Sequence, residues 1–232
     1  MTQGIVRRTV TAAGVMGVLL LGVAVTPAAA DSDTDVSDAD WYAMADDATA
    51  EVEATDWAAV SAEDGCRLVD VEIDEVVDAG ANAAMGAPAD LAVPVVEREE
   101  VCGGLTSDRV SSAESRTAGS LDAMVSRGSD CSWTSGPGYL CVSRSGSYVT
   151  TSFRYDGSST IKAFLKLYRI STSASGCPTG STLATSSTNS YGDGTRRSLT
   201  VYAPSYGGYS SHVWRYVGFG VYNNWGSACG VL

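Results

Sequence analysis

Histidine is nearly absent from this 232-residue chain; the only one is His212. Imidazole-based metal sites draw on several ligands, and no CxxC pair offers a thiolate alternative. A serine nucleophile would have to share that one histidine, within Ser210-Ser211-His212-Val213-Trp214. No GxSxG elbow or GDSGG-like segment accompanies it. His212 stands ahead of a predicted strand and reads as a surface or turn residue. Carboxylates are sparse from residue 130 onward: Asp130, Asp156 and Asp193. The last two sit beside glycine, where turn chemistry accounts for them, so a glycoside-cleaving pair has little support. No catalytic constellation can be named, and the chain reads as a non-enzyme without a cofactor. A calcium loop is also poorly supported, because Asp31-Ser32-Asp33-Thr34-Asp35 lacks the following glycine and the distant glutamate.

Positive charge is missing from a long stretch. From Asp31 to Glu100 there are 21 acidic residues and two basic ones, Arg67 and Arg98. From Val101 onward there are 11 basic and 6 acidic residues. An acidic leader thus precedes a mildly cationic half. Opposite charges on one chain can attract each other, or each half can recruit its own partner. The pair Arg196-Arg197 is the clearest case: it meets either the acidic leader or an anionic cell-wall polymer. Dispersed cations on an acidic chain argue against nucleic-acid binding.

Long apolar runs are absent after the first thirty residues. Residues 1–30 read as a secretory signal: Arg7 and Arg8, an apolar stretch from Val15 to Val25, then Ala28-Ala29-Ala30 before Asp31. Cleavage would leave an extracellular chain with no membrane span and six cysteines: Cys66, Cys102, Cys131, Cys141, Cys177 and Cys229. An even count in an exported chain reads as disulfides. Fifteen pairings are possible; sequence order favours Cys66–Cys102, Cys131–Cys141 and Cys177–Cys229.

Residues 31–64 form an acidic, flexible or helical segment. Trp41, Met44, Ala45, Ala48 and Val52 recur at helical spacing, with Asp40 as a candidate cap and Trp57 and Val60 continuing the stripe. Residues 65–103 form an extended acidic segment closed by a candidate disulfide. Val69, Val71 and Ile73 alternate with Asp70, Glu72 and Asp74 in one strand, and Val95 to Glu99 make a second after Pro94. Ala79 to Asp90 between them reads as small-residue linker. Residues 104–130 link onward, with Leu121, Met124 and Val125 on a candidate short helix.

Residues 131–232 read as a self-contained disulfide-bonded β domain, an antiparallel sandwich or barrel of many short strands separated by glycine turns. The fold class is therefore mainly β, behind a partly helical, partly extended leader. Aromatics crowd this half. Tyr206-Gly207-Gly208-Tyr209 reads as a loop with two phenols free for a ligand, and Trp214 joins Tyr206 and Tyr209 as a candidate contact.

These observations favour a secreted interaction protein whose partners are other secreted subunits. Val69, Val71 and Ile73 are the candidate partner-binding row, because a strand with one apolar face suits addition to a partner's sheet edge. A carbohydrate-binding cell-wall lectin and a toxin masked by its acidic leader are the alternatives. In layout, meaning signal, extended N-terminal segment and cysteine-bearing β domain, the chain resembles the adaptor subunits of actinobacterial umbrella-toxin particles. That resemblance implies a protein linking subunits of an extracellular antibacterial toxin complex. It carries no functional residue over.

Overall fold

The computed structural model describes residues 36–103, 126–127 and 129–232. The signal reading, the acidic run before Val36 and the candidate helix at Leu121, Met124 and Val125 lie outside them. The described chain is 54% strand and 18% helix, with no closed barrel, so the two all-β expectations resolve to a sandwich.

Sheet one has the order β1-β2-β10-β6-β5-β4, and sheet two β3-β12-β11-β7-β8 with β9 also on β7. The strands are β1 (Cys66–Val77), β2 (Ala92–Cys102), β3 (Ser126–Arg127), β4 (Ser129–Trp133), β5 (Gly138–Ser145), β6 (Tyr148–Tyr155), β7 (Ile161–Ile170), β8 (Ser181–Thr185), β9 (Asn189–Tyr191), β10 (Thr195–Tyr202), β11 (Gly208–Gly218) and β12 (Val221–Val231). All pairs are antiparallel except β3 with β12. The facing sheets share one core. Leu140, Val142, Val149, Phe153 and Leu199 come from sheet one, and Leu165, Leu167 and Val213 from sheet two, all fully buried. Along β5, β6 and β7 these residues alternate with more exposed neighbours, as successive side chains of a strand point to opposite faces.

Two helices cover the outer face of sheet one. α1 (Asp38–Ala54) buries Trp41, Ala45, Ala48 and Val52, and the first three of these pack with Leu91, Val93 and Tyr202. Its cap is Ser37 rather than Asp40: the Ser37 hydroxyl accepts from the Asp40 N–H and donates to the Asp40 carboxylate. The stripe does not run on through Trp57 and Val60. Asp56 caps a separate helix, α2 (Trp57–Glu63), accepting from the Ala59 N–H, while the Trp57 indole donates back to the Val52 carbonyl. The expected linker after β1 contains a third helix, α3 (Ala79–Met85), capped by Asp78 and sending Ala81 and Met85 into the core.

The division of the chain differs from the expectation. β1 and β2 form the hairpin read from sequence, with Cys66 opposite Cys102. But β2 is an interior strand: its other side pairs with β10, from Val101–Thr195 to Val95–Val201. Residues 65–103 therefore supply two of the six strands of sheet one and are not a separate arm. The described residues make one compact unit. The three disulfides are those favoured by sequence order. They point to an oxidising or extracellular environment, and each contributes about 2–4 kcal/mol. Among the described residues no helix is long and apolar enough to cross a membrane.

Candidate functional site: an acidic cleft at a free sheet edge

β1 is twelve residues long and, among the described residues, pairs only with β2, so that one whole side of its backbone has no strand partner there. A register shift between Leu68 and Asp70 leaves Val69 as the bulged residue. Beyond it the faces separate cleanly. Val71 and Ile73 lie opposite Arg98 and Val96, on the face that carries the helices, and Thr49 of α1 donates to Glu75 in the same row. Asp70, Glu72 and Asp74 point to the other face.

There the register sets Asp70 opposite Glu99 and Glu72 opposite Glu97. The segment after β8 closes the far wall. The result is a cleft of about 150 Å³ lined by Asp70, Glu72, Glu97, Arg98, Glu99, Ser187, Asn189 and Arg197, although the Arg98 guanidinium itself is held on the opposite face by Glu100. Arg197 pairs with Glu99, and the Ser187 N–H donates to Glu97 at 3.0 Å. Burial raises the Glu97 carboxyl above its ordinary value, and Glu72 and Asp74 push the same way. The Ser187 N–H and Arg197 work against that rise. Four carboxylates thus face one guanidinium, and the cleft has a strong preference for cations.

The opposite face of the same strands holds a buried charge network. Glu100, fully buried, accepts from Ser61 at 2.6 Å, Arg98 at 3.0 Å, Arg196 at 2.6 and 3.0 Å and Ser198 at 3.2 Å. Arg196 also reaches Asp64 at 2.5 Å. Burial works to raise the Glu100 carboxyl, but the hydrogen bonds and charge of Arg196, with Ser61 and Arg98, hold it below the usual range. Of the two destinations expected for Arg196-Arg197, the pair takes the leader: one arginine on each face of sheet one.

The sequence-predicted residues do not converge. Val69 is about half exposed, whereas Val71 and Ile73 are half-buried on the helix-bearing face. Tyr206 is 61% exposed, but Tyr209 is fully buried, donates to the Ser205 carbonyl and lies under the Arg169 guanidinium at 4.7 Å. The two phenols separate because β11 begins at Gly208, so Tyr209 falls on the inward parity of a strand. Trp214 is elsewhere, on the outer face of sheet two. It forms an aromatic row with Phe164 (6.4 Å, 13° between planes), Tyr222 and Tyr216.

His212 is not a turn residue. It lies within β11, 3% exposed. Its Nε2 is 3.0 Å from Ser210 Oγ and its Nδ1 2.8 Å from Asn224 Nδ2, an arrangement that looks like nucleophile, base and orienting group. The hydrogen positions argue otherwise. The Gly226 N–H donates to Asn224 Oδ1, which turns the amide N–H₂ toward His212. Nδ1 therefore accepts, and Nε2 carries the proton that it shares with Ser210. A nitrogen that already holds a proton cannot take the serine's. The ring also meets backbone at Cys177 and Pro178. His212 thus pins the loop that carries the Cys177–Cys229 bridge to sheet two.

The alternation of Asp70, Glu72 and Asp74 was the visible half of the cleft. The facing row, Glu97 and Glu99, required the register. No family model, curated protein or solved structure matches this chain.

Proposed function

We propose that this protein is a secreted, non-enzymatic interaction subunit that binds a cationic, extended segment of another protein along β1. The observation carrying this reading is the coincidence of a free twelve-residue strand edge with the carboxylates of the cleft. An added strand satisfies the unpaired backbone groups of β1, and its alternate side chains stand above the cleft face. Lysines or arginines at those positions meet Asp70, Glu72 and Asp74. The partner row is thereby moved from Val69, Val71 and Ile73 to their acidic neighbours, and recognition from apolar pockets to charge. Exposed charges on an edge strand also discourage unspecific pairing, so a partner must bring the complementary sign. The layout resemblance to umbrella-toxin adaptors extends the reading to a subunit that joins components of an extracellular toxin complex.

The masked-toxin alternative loses support. A cut between residues 104 and 125 leaves β2 paired between β1 and β10, so the leader is not shed. Carbohydrate binding keeps one supporting observation, the aromatic row through Trp214. Glycan-array binding lost on Trp214→Ala would favour it.

The test uses a fluorescent twelve-residue peptide with lysine at alternate positions and threonine between. A peptide of the same composition with its lysines in one block is the control. Anisotropy should show binding of the alternating peptide, lost in Asp70→Asn/Glu72→Gln/Asp74→Asn. Equal binding of both peptides would overturn strand addition in favour of unspecific charge attraction.

A further inference from the structure

The most exposed apolar side chain among the described residues is at the end of the β11–β12 hairpin. Phe219 is fully exposed, with Val217 and Val221 about half exposed on either side and Tyr216 behind them. β7 supports β11 only as far as Arg215, opposite Ala163. Beyond that, among the described residues, the hairpin pairs with itself alone, Tyr216 with Tyr222 and Gly218 with Val221, and extends past the end of β7. Phe219 has a left-handed backbone, φ +52°, between Gly218 (φ +111°) and Gly220 (φ +75°). A large aromatic is disfavoured in that conformation. At this position it gains nothing from its own fold to offset the cost, since it has no core contact. Exposed aromatics of this kind are anchors for association.

A fitting recess lies elsewhere on the same molecule. The groove between α1, α2 and the outer face of sheet one is a pocket of about 240 Å³, with Val52, Trp57 and Val60 as its apolar wall and Arg98 beside them. Arg98 is 95% buried and stacks on Trp57 at 5.2 Å. Its Nη1 is taken by Ser61 and Glu100, while its Nε has no hydrogen-bond partner among the described residues. The pocket thus offers an apolar volume able to hold a phenyl ring. The charges agree as well. The only charged residue from Gly208 to Val231 is Arg215, while α1 and α2 carry acidic residues and no basic one, with Glu51 on the pocket wall.

The two features lie at opposite ends of the sandwich. The pocket includes Ser145 and Gly146 of the β5–β6 turn. Neighbouring Arg144 reaches the Leu232 carbonyl, and Leu232 pairs with Gly207, just before β11 begins. Phe219 stands past the other end of that strand. A chain cannot fill its own pocket, but a second copy can, and its own pocket then remains open.

We infer that the β11–β12 tip is a plug that enters the α1–α2 pocket of a second copy of this chain, giving a head-to-tail, heterologous interface. One tip per contact makes a small interface of the transient class. This inference does not rest on the β1 reading, because neither Phe219 nor the pocket belongs to the acidic cleft.

The test is sedimentation velocity on the disulfide-bonded chain lacking residues 1–30, at concentrations up to about 1 mM, where weak interfaces populate. Two variants are compared. Phe219→Asn removes the plug and suits the left-handed backbone; Val60→Glu puts a carboxylate in the pocket. Unchanged melting temperatures confirm that both are folded. Wild type should associate with rising concentration, and each variant alone should associate at least tenfold more weakly. Their mixture should give a 1:1 dimer and nothing larger, because each supplies the half the other lacks. A wild type that stays monomeric to 1 mM overturns the inference. So does association untouched by Phe219→Asn. Phe219-dependent binding to phosphatidylcholine–phosphatidylglycerol vesicles by a monomeric protein assigns the tip to a bilayer instead.

Discussion

Glu100→Gln should destabilise sheet one by removing the anion at the centre of its buried charge network. The side chain keeps its volume and one acceptor oxygen, so packing is nearly constant and charge is what changes. In the wild type one fully buried carboxylate faces Arg98, 5% exposed, and Arg196, 14% exposed. After substitution their nearest remaining anion is Asp64, which is half in water at 51% exposure. Two guanidiniums are then left in a poorly solvated place with little compensation. Breaking a buried pair from one side costs about 3–5 kcal/mol. For a domain of this size that converts to a fall in melting temperature of roughly 6–20 °C. Urea denaturation at pH 7 gives the free energy directly. The pH dependence supplies a second check. Because the Glu100 carboxyl is held below its usual value, its contribution is present above about pH 4.5 and is lost as pH falls through the folded-state value. The gap between variant and wild type should close in strong acid. A loss under about 1 kcal/mol at pH 7, the range of exposed pairs, would refute the account.

Three further outcomes follow from the same geometry. The fragment 126–232, made with its two disulfides formed, should give an aggregating or partly folded product, because it leaves β10 without β2. Adding fragment 36–103 in trans should restore a cooperative melt, and a fully cooperative melt of the fragment alone would show that β2 is dispensable. His212 is buried neutral, its basicity lowered by burial, so acidification below pH 6.5 should erode stability as the unfolded chain takes up a proton the folded one resists; His212→Gln should flatten that slope just below about pH 6.5, and an unchanged slope would show that another group titrates there. Glu97→Gln should stabilise slightly at pH 7, by less than about 1 kcal/mol in this part-solvated cleft, because a carboxyl with a raised value disfavours the fold once ionised and the amide oxygen still accepts from Ser187; a lower melting temperature would count against the cleft electrostatics.

Elements whose signal is local were legible in the sequence. The α1 stripe, the alternation of Asp70, Glu72 and Asp74 along β1 and the disulfide order all transfer to the fold. Elements defined by a distant neighbour were not. Val95-Val96-Glu97-Arg98-Glu99-Glu100 reads as an exposed, charged strand. Arg98 and Glu100 are buried only because Ser61 and Arg196 arrive from far along the chain. The seven-residue α3 is too short to show a helical period. Tyr206 and Tyr209 look alike in a tyrosine–glycine run, and only the start of β11 decides which is core. The acidic cleft was half visible for the same reason: one row alternates within β1, and the other belongs to β2.

The interior position of β2 also orders events in time. Arg197 follows its partner Glu99 by 98 residues. At synthesis rates of about 5–20 residues per second, β2 waits roughly 5–20 s for the strand that completes its second side. During that interval Val93, Val95 and Val96 have β1 on one edge and nothing on the other. Long-range antiparallel closure of this kind is slow even when all strands are present. An open β2 edge is an aggregation hazard for as long as it lasts, and the dense carboxylates of the hairpin supply a like-charge repulsion against pairing of two such chains.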